Sequence, residues 1–383
     1  MKSFYYMTVL LLLLLAGACQ KDGDGPRAVR IGLIAYTEDV HADTVGQPTI
    51  NAARLAVDEV NRTGGVRQEA GKAPVELVIE GIASSPQNAV AAMRKLTNRE
   101  NVAAIVGLQY SVDAIPAGEF ADRAHVPFIS PMSTNARTTR GRDYVFRMSF
   151  VDELQGSVMA RYAFEVLGGR RAAVMFDHTD PYSSGISDVF ATTFKDLGGA
   201  VVSYQAFNPE AIRYDEVFDH ISQNDPDILY LPGFSADVRQ HVRQARHHGL
   251  QLQLLGADGW NVDEFSRNPD FNGSYMTSHW VAGSGGEEAE NFATQYRQAY
   301  GKEPDAVAAL TYDAVKLVLA ALAYGGRTDG ESLRQALIDM DAYPGVTGAV
   351  DFVENGDPVK EVLILHLQDG KARLEQVVDP GES

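Results

Sequence analysis

From residue 29 onward, short runs of Val, Ile, Leu and Ala alternate with longer segments in which apolar residues recur every three or four positions. The short runs are apolar at consecutive positions, which is typical of strands buried on both faces of a sheet. We predict strands over 29–35, 75–80, 102–107, 126–130, 172–176, 200–204, 228–231 and 252–256. The alternating order predicts an α/β protein with doubly wound parallel sheets.

The longer segments are predicted as helices. In 48–63, Ile50, Ala53 and Val57 share one helical face, and two glycines end the helix. Further helices are predicted over 86–99, 112–124, 153–167, 185–197, 211–223 and 236–248, and helices dominate again over 287–340. Helix 306–324 is apolar on nearly all faces, so we expect it to be buried.

The strand–helix rhythm breaks at an extended segment, 144–149, and then restarts with a fresh set of units. This break predicts two lobes, with the first passage between them at that point. Near the C-terminus we predict a strand over 346–352, a turn over 354–357, and then two strands over 361–368 and 372–378 joined by an Asp-Gly turn.

Composition and charge narrow the class of protein. The 383 residues are 45 % hydrophobic and 22 % charged, as in a globular protein of about two domains. The net charge of −18, from 33 Lys and Arg against 51 Asp and Glu, argues against nucleic acid and against a polybasic membrane-surface binder.

The N-terminus resembles the leader of a bacterial lipoprotein. Lys2 precedes the apolar run 9–15, and Ala16-Gly17-Ala18 leads into Cys19, the single cysteine of the chain. We predict a signal peptide over 1–18, lipidation of Cys19, and a polar tether over 19–28. One departure is Ala16, where such leaders usually carry Leu. The alternative is a plain signal peptide in which Cys19 has no role.

Recognisable catalytic and cofactor motifs are missing from the sequence. It contains no G-x-S-x-G, Walker A or strand-coupled G-x-G-x-x-G pattern, and the single cysteine excludes a Cys-based zinc site. His247-His248 lack the spacing of a zinc motif, and 177–180 is best explained as a polar loop at the end of a strand. We therefore expect no metal and no cofactor.

Several short motifs, taken in order, resemble type I periplasmic binding proteins of the leucine/isoleucine/valine-binding class, the receptors of ABC importers. They cover roughly 29–368. The motifs are Ile31-Gly32-Leu33-Ile34, Gly46, the run 51–61 ahead of Gly64-Gly65, Val106-Gly107 with Ser111, the run 126–131, Phe146-Arg147, Asp152, Gln155-Gly156, Tyr182, Gly249-Leu250, the run 256–260, the run 345–348, Phe352 and Gly356-Asp357. Each motif alone is weak, whereas their order is specific to the family.

The resemblance implies two lobes joined by three crossovers, with a ligand cleft between them. The crossovers then fall near 147–150, 278–282 and 344–348, and His279-Trp280-Val281 forms the second. Lobe 1 comprises 29–147 with 282–345, and lobe 2 comprises 148–281 with 346–383. The implied ligand is an amino acid or a similar small polar acid.

An amino-acid zwitterion needs donors for its carboxylate and acceptors for its ammonium. Ser111 and Thr134 match the carboxylate positions, although both residue types also favour helix caps and turns. Asp258 matches the acidic ammonium partner, with an Asp-Gly turn as the alternative. Tyr182 and Phe234 match aromatic positions of the cleft, although either could belong to the core. The candidate ligand residues are Gln109, Tyr110, Ser111, Met132 (through its carbonyl), Ser133, Thr134, Tyr182, Phe234 and Asp258.

Two departures from the family bear on specificity. Val45 stands where relatives with aliphatic ligands tend to have tyrosine, and Gln109 stands where leucine-binding relatives have an aliphatic wall. The amide of Gln109 either selects a polar side chain or points at solvent. Branched-chain specificity is therefore open.

The resemblance implies a monomeric substrate-binding protein that closes by hinge bending and docks on an ABC permease, lipid-anchored in the periplasm or at the cell surface. One alternative is a ligand-sensing regulatory lipoprotein on the same fold, because fold alone does not decide function. A hydrolase with an unrecognised triad is a second alternative.

Overall fold

A computed structural model describes residues 27–352 and 356–382, and these form two lobes, each built around one sheet. The predicted signal peptide, Cys19 and part of the predicted turn over 354–357 lie outside the described residues.

The first sheet has five parallel strands in the order β4-β1-β5-β6-β7. They are β1 (Val29–Tyr36), β4 (Val75–Ile82), β5 (Ala104–Gly107), β6 (Phe128–Ser130) and β7 (Val145–Arg147), and a small hairpin of β2 (Val66–Gln68) and β3 (Gly71–Ala73) lies beside them. Helices cover both faces because the strands are apolar on both. They are α1 (Gln47–Arg62), α2 (Pro86–Asn98) and α3 (Ser111–Arg123).

The second sheet has seven strands. Five of them are parallel, and two C-terminal strands are added antiparallel at one edge. The strands are β8 (Arg171–Asp177), β9 (Ala200–Phe207), β10 (Ile228–Tyr230), β11 (Gln253–Gly256) and β12 (Ser274–Ser278), then β15 (Val362–Gln368) and β16 (Lys371–Val378). The helices are α4 (Asp152–Arg161), α5 (Pro181–Asp196), α6 (Tyr214–Gln223), α7 (Ser235–His247) and α8 (Val262–Arg267). The predicted α/β class with two doubly wound lobes is confirmed.

The parallel strands of both sheets follow the same order. In the first lobe β4 lies on one side of β1, and β5, β6 and β7 follow on the other side. In the second lobe β9 lies on one side of β8, and β10, β11 and β12 follow on the other side. The order therefore reverses between β1 and β5 in one lobe and between β8 and β10 in the other. Open α/β sheets bind ligands at such switch points, beyond the carboxyl ends of the strands.

Helix α10 is the most apolar helix of the described residues. The chain returns to the first lobe through α9 (Glu287–Tyr300), α10 (Ala306–Gly325) and α11 (Gly330–Asp339). By length and composition α10 could cross a membrane, but 72 % of its most apolar window is buried inside the protein. The expectation of a buried helix over 306–324 is confirmed.

The segment that follows α11 packs with the first lobe. Instead of one strand over 346–352, a hairpin forms from β13 (Tyr343–Gly345) and β14 (Gly348–Val350). Its apolar side chains, with Phe352, pack into the first core. Buried Asp313 of α10 fixes the turn by accepting hydrogen bonds from the backbone N–H groups of Val346 and Thr347, both at 2.8 Å. The chain enters the second sheet only at β15.

Other differences from the sequence prediction have local causes. Strand β12 was not predicted because Ser and Thr occupy buried positions that usually carry apolar residues. Helix α5 begins at Pro181 rather than near 185, because Asp180 caps it and proline suits a first helical position. Helix α6 begins at Tyr214 rather than 211, since a turn closed by the Ala211 N–H to the Asn208 carbonyl precedes it.

Candidate functional site

The candidate residues gather at the switch points of both sheets. Gln109, Tyr110 and Ser111 follow β5, and Ser133 and Thr134 follow β6. In the second lobe, Tyr182 lies in the first turn of α5 after β8, Phe234 precedes α7 after β10, and Asp258 follows β11. Because these strands are parallel within each sheet, their carboxyl ends lie at one edge, which brings residues distant in sequence together.

Hydroxyl groups line the first-lobe side. The oxygens of Ser111 and Ser133 lie 3.0 Å apart, and Ser133 also contacts the hydroxyl of Thr138 at 2.6 Å. Ser111 opens α3, where the helix dipole favours an anion. Thr134, the residue after Ser133, is buried. Ser133 is thus engaged within the loop, whereas Met132 packs, half-buried, against the first core.

Asp258 is the best-connected acid of the cleft. Its Oδ1 accepts hydrogen bonds from Gln155 Nε2 at 2.7 Å and from the Tyr182 hydroxyl at 2.8 Å. Its Oδ2 lies 3.0 Å from Nε2 of His279. Burial acts to raise the pKa of Asp258, but the bonds from His279, Gln155 and Tyr182 outweigh it, and the pKa lies below its ordinary value.

Asp258 therefore carries its charge at neutral pH. An ionised carboxylate has about four acceptor positions, and three donors occupy three of them here. The three contacts leave one acceptor position of Asp258 unused within the part of the chain that the structure describes.

Neither Gln155 nor His279 was predicted as a site residue, although both lie in segments that the sequence singled out. Both reach Asp258 from elements far away in the chain, and no local pattern reports such contacts. His279 leaves the end of β12 and stacks on Phe150, with ring centroids 3.7 Å apart. Phe150 follows β7 on the first passage between the lobes, and His279 lies on the second. The stack thus joins the two passages and ties them to Asp258.

Trp260 shapes the turn that holds Asp258. Its ring lies against Gly256, where a Cβ would be 2.2 Å from the indole. The indole N–H donates to the Leu231 carbonyl at 2.9 Å, which links the ends of β10 and β11. Trp280, directly after His279, is buried as well.

Aromatic rings meet across the two lobes. Tyr110 of the first lobe and Phe234 of the second lie with ring centroids 4.7 Å apart in an edge-to-face contact. Tyr182 stacks on the other side of Phe234 at 5.4 Å, and Tyr36 stacks on Tyr110 at 5.0 Å. The structure is therefore closed at this point of the cleft.

Gln109 does not point at solvent. It is 5 % exposed, and its Nε2 donates to the Thr49 hydroxyl of α1 at 2.6 Å. Val45, the other departure from the family pattern, is half-buried and packs against the core of the first lobe.

Asn135 connects the lobes next to the hydroxyl loop. Its Nδ2 donates to Asp152 Oδ2 of α4 at 3.2 Å and to the Pro181 carbonyl of α5 at 2.9 Å. Burial raises the pKa of Asp152 well above its ordinary range, against a smaller opposing effect of the Thr134 hydroxyl. The contact joins the loop that presents Thr134 to two helices of the second lobe.

Arg147 is fully buried and binds the loop that presents Thr134. Its guanidinium donates to the carbonyls of Ser133 and Asn135 at 2.7 and 3.0 Å, and to the Thr139 hydroxyl at 2.7 Å. Its Nε pairs with Asp357 at 2.6 Å. Five N–H donors in one plane suit this set of acceptors, which a lysine could not satisfy.

Asp180 caps α5 beside Tyr182 at an electrostatic cost. It accepts bonds from the N–H groups of Tyr182 and Ser183, both at 3.3 Å. Burial, with smaller effects of Asp177 and Asp113, raises the pKa of Asp180 to about 6. The folded protein therefore binds a proton more readily than the unfolded chain between pH 4 and 6, and its stability falls as the pH rises through that range.

We expect Asp180→Asn to stabilise the ligand-free protein by about 1 kcal/mol at pH 7.5, because asparagine caps a helix as well and carries no charge. The gain disappears below about pH 4, where Asp180 is protonated in both states. Urea unfolding at pH 4 and 7.5 measures it.

Asp329→Asn is the matched control. Asp329 caps α11, and its pKa is lowered to about 2, first by the hydrogen bond from the Ser332 N–H and then by the one from Arg327. Asparagine should therefore destabilise the protein at this position at pH 7.5. A pH-independent effect of Asp180→Asn contradicts the assignment.

No group of three or more His, Cys, Asp or Glu side chains that could hold a metal ion occurs within 27–352 and 356–382. Hydroxyl groups surround Ser111 on the first-lobe side, and the ionised Asp258 carboxylate lies on the second-lobe side. This arrangement is suited to binding a small molecule with an anionic and a cationic end.

Comparisons with known proteins agree with this geometry. A family model described as periplasmic binding protein matches residues 28–372. The amino acid binding protein of Pseudomonas aeruginosa is 27 % identical over 340 residues, covering 87 % of this chain and 88 % of the relative. Among solved structures, a leucine-binding protein from Thermotoga maritima has a TM-score of 0.86 at 28 % identity and covers 93 % of this chain and 100 % of its own. A branched-chain amino acid transporter substrate-binding protein from Streptococcus pneumoniae, in complex with isoleucine, has a TM-score of 0.82 at 28 % identity, covering 92 % and 99 %.

Proposed function

Because the chain belongs to the periplasmic binding protein family, we propose that it is the extracytoplasmic substrate-binding protein of an ABC importer and that its ligand is an amino acid. Like its relatives, it is a binding protein and not an enzyme. The observation that carries the amino-acid assignment is Asp258, a buried carboxylate of low pKa with one free acceptor position, which lies across the cleft from the start of α3.

The ligand carboxylate binds on the first lobe. Ser111 and Thr134 supply hydroxyl donors, and the free N–H groups at the start of α3 add the favourable end of the helix dipole. The ligand ammonium binds Asp258, with the Met132 carbonyl as a second acceptor. Tyr182 and Phe234 cover the ligand from the second lobe.

Closure follows by hinge bending about the passages between the lobes. The ligand shifts the population towards the closed form because it contacts both lobes only there. The edge-to-face contact of Tyr110 with Phe234 and the bonds of Asn135 to the second lobe also form across the cleft. We propose that the lobes divide as the sequence predicts, except that 346–352 moves with lobe 1.

The ligand assignment is tested with a thermal-shift panel of the common amino acids and small carboxylates. A ligand at about 100 times its dissociation constant stabilises the folded state by about 2.7 kcal/mol. We expect at least one α-amino acid to shift the midpoint, and its deaminated carboxylic acid to have no comparable effect. Stabilisation by no amino acid contradicts the proposal.

We further propose that the mature protein is a monomer anchored through lipidated Cys19 near an ABC permease. Cys19→Ser abolishes lipid attachment, since the serine hydroxyl cannot form the thioether. We expect the variant to move from the membrane to the soluble extracytoplasmic fraction, where ultracentrifugation and immunoblotting detect it. Ser3→Ala, in the leader, is the control and should stay with the membrane. Equal membrane association of Cys19→Ser and the parent contradicts the anchor.

A further inference from the structure

We propose that Gln109 makes the cleft selective for an amino acid whose side chain ends in an N–H donor, over the apolar amino acid of the same shape. This inference rests on the proposed function and names the class of side chain that the site takes.

The backbone before Gln109 is fixed in an unusual conformation. Gly107 and Leu108 both have positive φ, 137° and 59°. A Cβ at Gly107 would be 2.2 Å from the Ile34 carbonyl oxygen, so this glycine lets β5 approach β1 closely. The Ser130 hydroxyl then donates to the Leu108 carbonyl at 2.9 Å. The side chain of Gln109 is therefore aimed by a rigid turn at the switch point.

The hydrogen-bond network determines which way the Gln109 amide faces. The Thr49 hydroxyl has one hydrogen, and it donates that hydrogen to the Val45 carbonyl at 2.7 Å. At its 2.6 Å contact with Gln109, Thr49 is therefore the acceptor, and the amide nitrogen must face it. The reverse orientation would place two oxygens together without a hydrogen between them.

The carbonyl oxygen of Gln109 is left without a partner. Oε1 is buried and accepts no hydrogen bond from the protein. Buried acceptors are nearly always satisfied by the protein, by water or by a ligand, so we infer that this oxygen takes a donor from outside the protein. Gln109 adjoins Tyr110 and Ser111, two residues of the cleft, and a ligand side chain with an N–H group is a donor of the required kind.

The charges around this end of the cleft favour the same class. Burial raises the pKa of the Tyr110 phenol, and the nearby carboxylates of Asp39 and Asp113 in the first lobe and Asp180 in the second raise it further. Aromatic faces of Tyr110 and Phe234 accompany them. Around the Tyr110 phenol, these charges favour an amide or a cation over a side-chain carboxylate.

The test uses the exported Cys19→Ser protein and two sets of ligands of similar size, each with an apolar, an amide and an acidic side chain. Leucine, asparagine and aspartate form one set, and methionine, glutamine and glutamate form the other. Dissociation constants come from isothermal titration calorimetry, after removal of any carried-over ligand by unfolding and refolding. We expect the amide to bind at least tenfold more tightly than its apolar partner in one set, with the acid weakest.

Two substitutions test the role of Gln109. Gln109→Leu should reverse the amide preference in that set by at least tenfold. Thr49→Val, which removes the hydroxyl that orients the amide, should reduce the preference without reversing it. Thr311→Val is the matched control. Thr311 is also a buried threonine in a helix, α10, but unlike the Thr49 hydroxyl its hydroxyl has no hydrogen-bond partner. It should leave the preference unchanged.

The outcomes separate this inference from the proposed function. The inference is overturned, with amino-acid binding intact, if leucine binds more tightly than asparagine and methionine also binds more tightly than glutamine. It is overturned as well by a preference that neither Gln109→Leu nor Thr49→Val changes. Binding of none of the six ligands, together with a failed amino-acid panel, overturns both.

Discussion

Asp258→Asn should weaken amino-acid binding about 100-fold, equivalent to about 2.7 kcal/mol. A hydrogen bond to a charged group contributes about 1.5–3 kcal/mol, and burial strengthens the attraction between carboxylate and ammonium. Asparagine keeps the size of the side chain and one acceptor oxygen but loses the charge. The loss should therefore appear in affinity while the closed structure can still form. Calorimetric titration of the ligand found by the panel measures it.

A matched control lies five residues further along the chain. Asp263 is 77 % exposed and pairs with Arg267 on the surface of α8. Asp263→Asn makes the same change of charge on the same lobe and should leave the dissociation constant within about twofold, because exposed ion pairs contribute little. If Asp258→Asn binds as tightly as the parent, Asp258 is a structural acceptor for Gln155, Tyr182 and His279, and the ammonium binds elsewhere.

The second large effect concerns stability. Arg147→Met should lower the free energy of unfolding by about 3–5 kcal/mol, because it removes one partner of a buried ion pair and several hydrogen bonds. The carbonyls of Ser133 and Asn135 and the Asp357 carboxylate each lose the donor that Arg147 supplies. The same change frees the loop that presents Thr134, so ligand affinity should fall as well. Urea unfolding, followed by circular dichroism, gives the free energy.

Two further variants make this result specific. Arg140→Met changes an arginine of the same loop that is 71 % exposed and pairs with Glu153, and it should cost less than about 1 kcal/mol. Adding Asp357→Asn to Arg147→Met should recover part of the lost stability, since it removes a half-buried negative charge that has lost its cationic partner. Equal costs for Arg147→Met and Arg140→Met contradict the role assigned to Arg147.

The sequence predicts the architecture well because periodicity and burial coincide in most elements. Continuous apolar runs mark β1, β5 and β8, and the all-apolar α10 is buried as expected. The prediction fails where buried positions carry polar residues or where an element depends on a residue far away in the chain. Strand β12 buries Ser and Thr, and the hairpin after Tyr343 depends on Asp313, thirty residues earlier in the chain.

The candidate site shows the same division. Asp258, Tyr182 and Ser111 follow strands directly, so the position of each in a motif is a local signal. Gln155 and His279 have no such signal, because their role depends on the packing of α4 and β12 around Asp258. The orientation of the Gln109 amide also depends on a hydroxyl sixty residues away.

The positions of Trp260 and Trp280 have a practical consequence. They are the only two tryptophans in the chain, both are buried, and they lie within two residues of Asp258 and His279, which contact each other. Indole fluorescence responds to nearby charge and solvent, so the emission spectrum is an intrinsic optical reporter of that corner. Ligand uptake and its kinetics become measurable by stopped flow without attaching a dye, and replacing each tryptophan by phenylalanine in turn assigns the signal to the Asp258 turn or to the hinge.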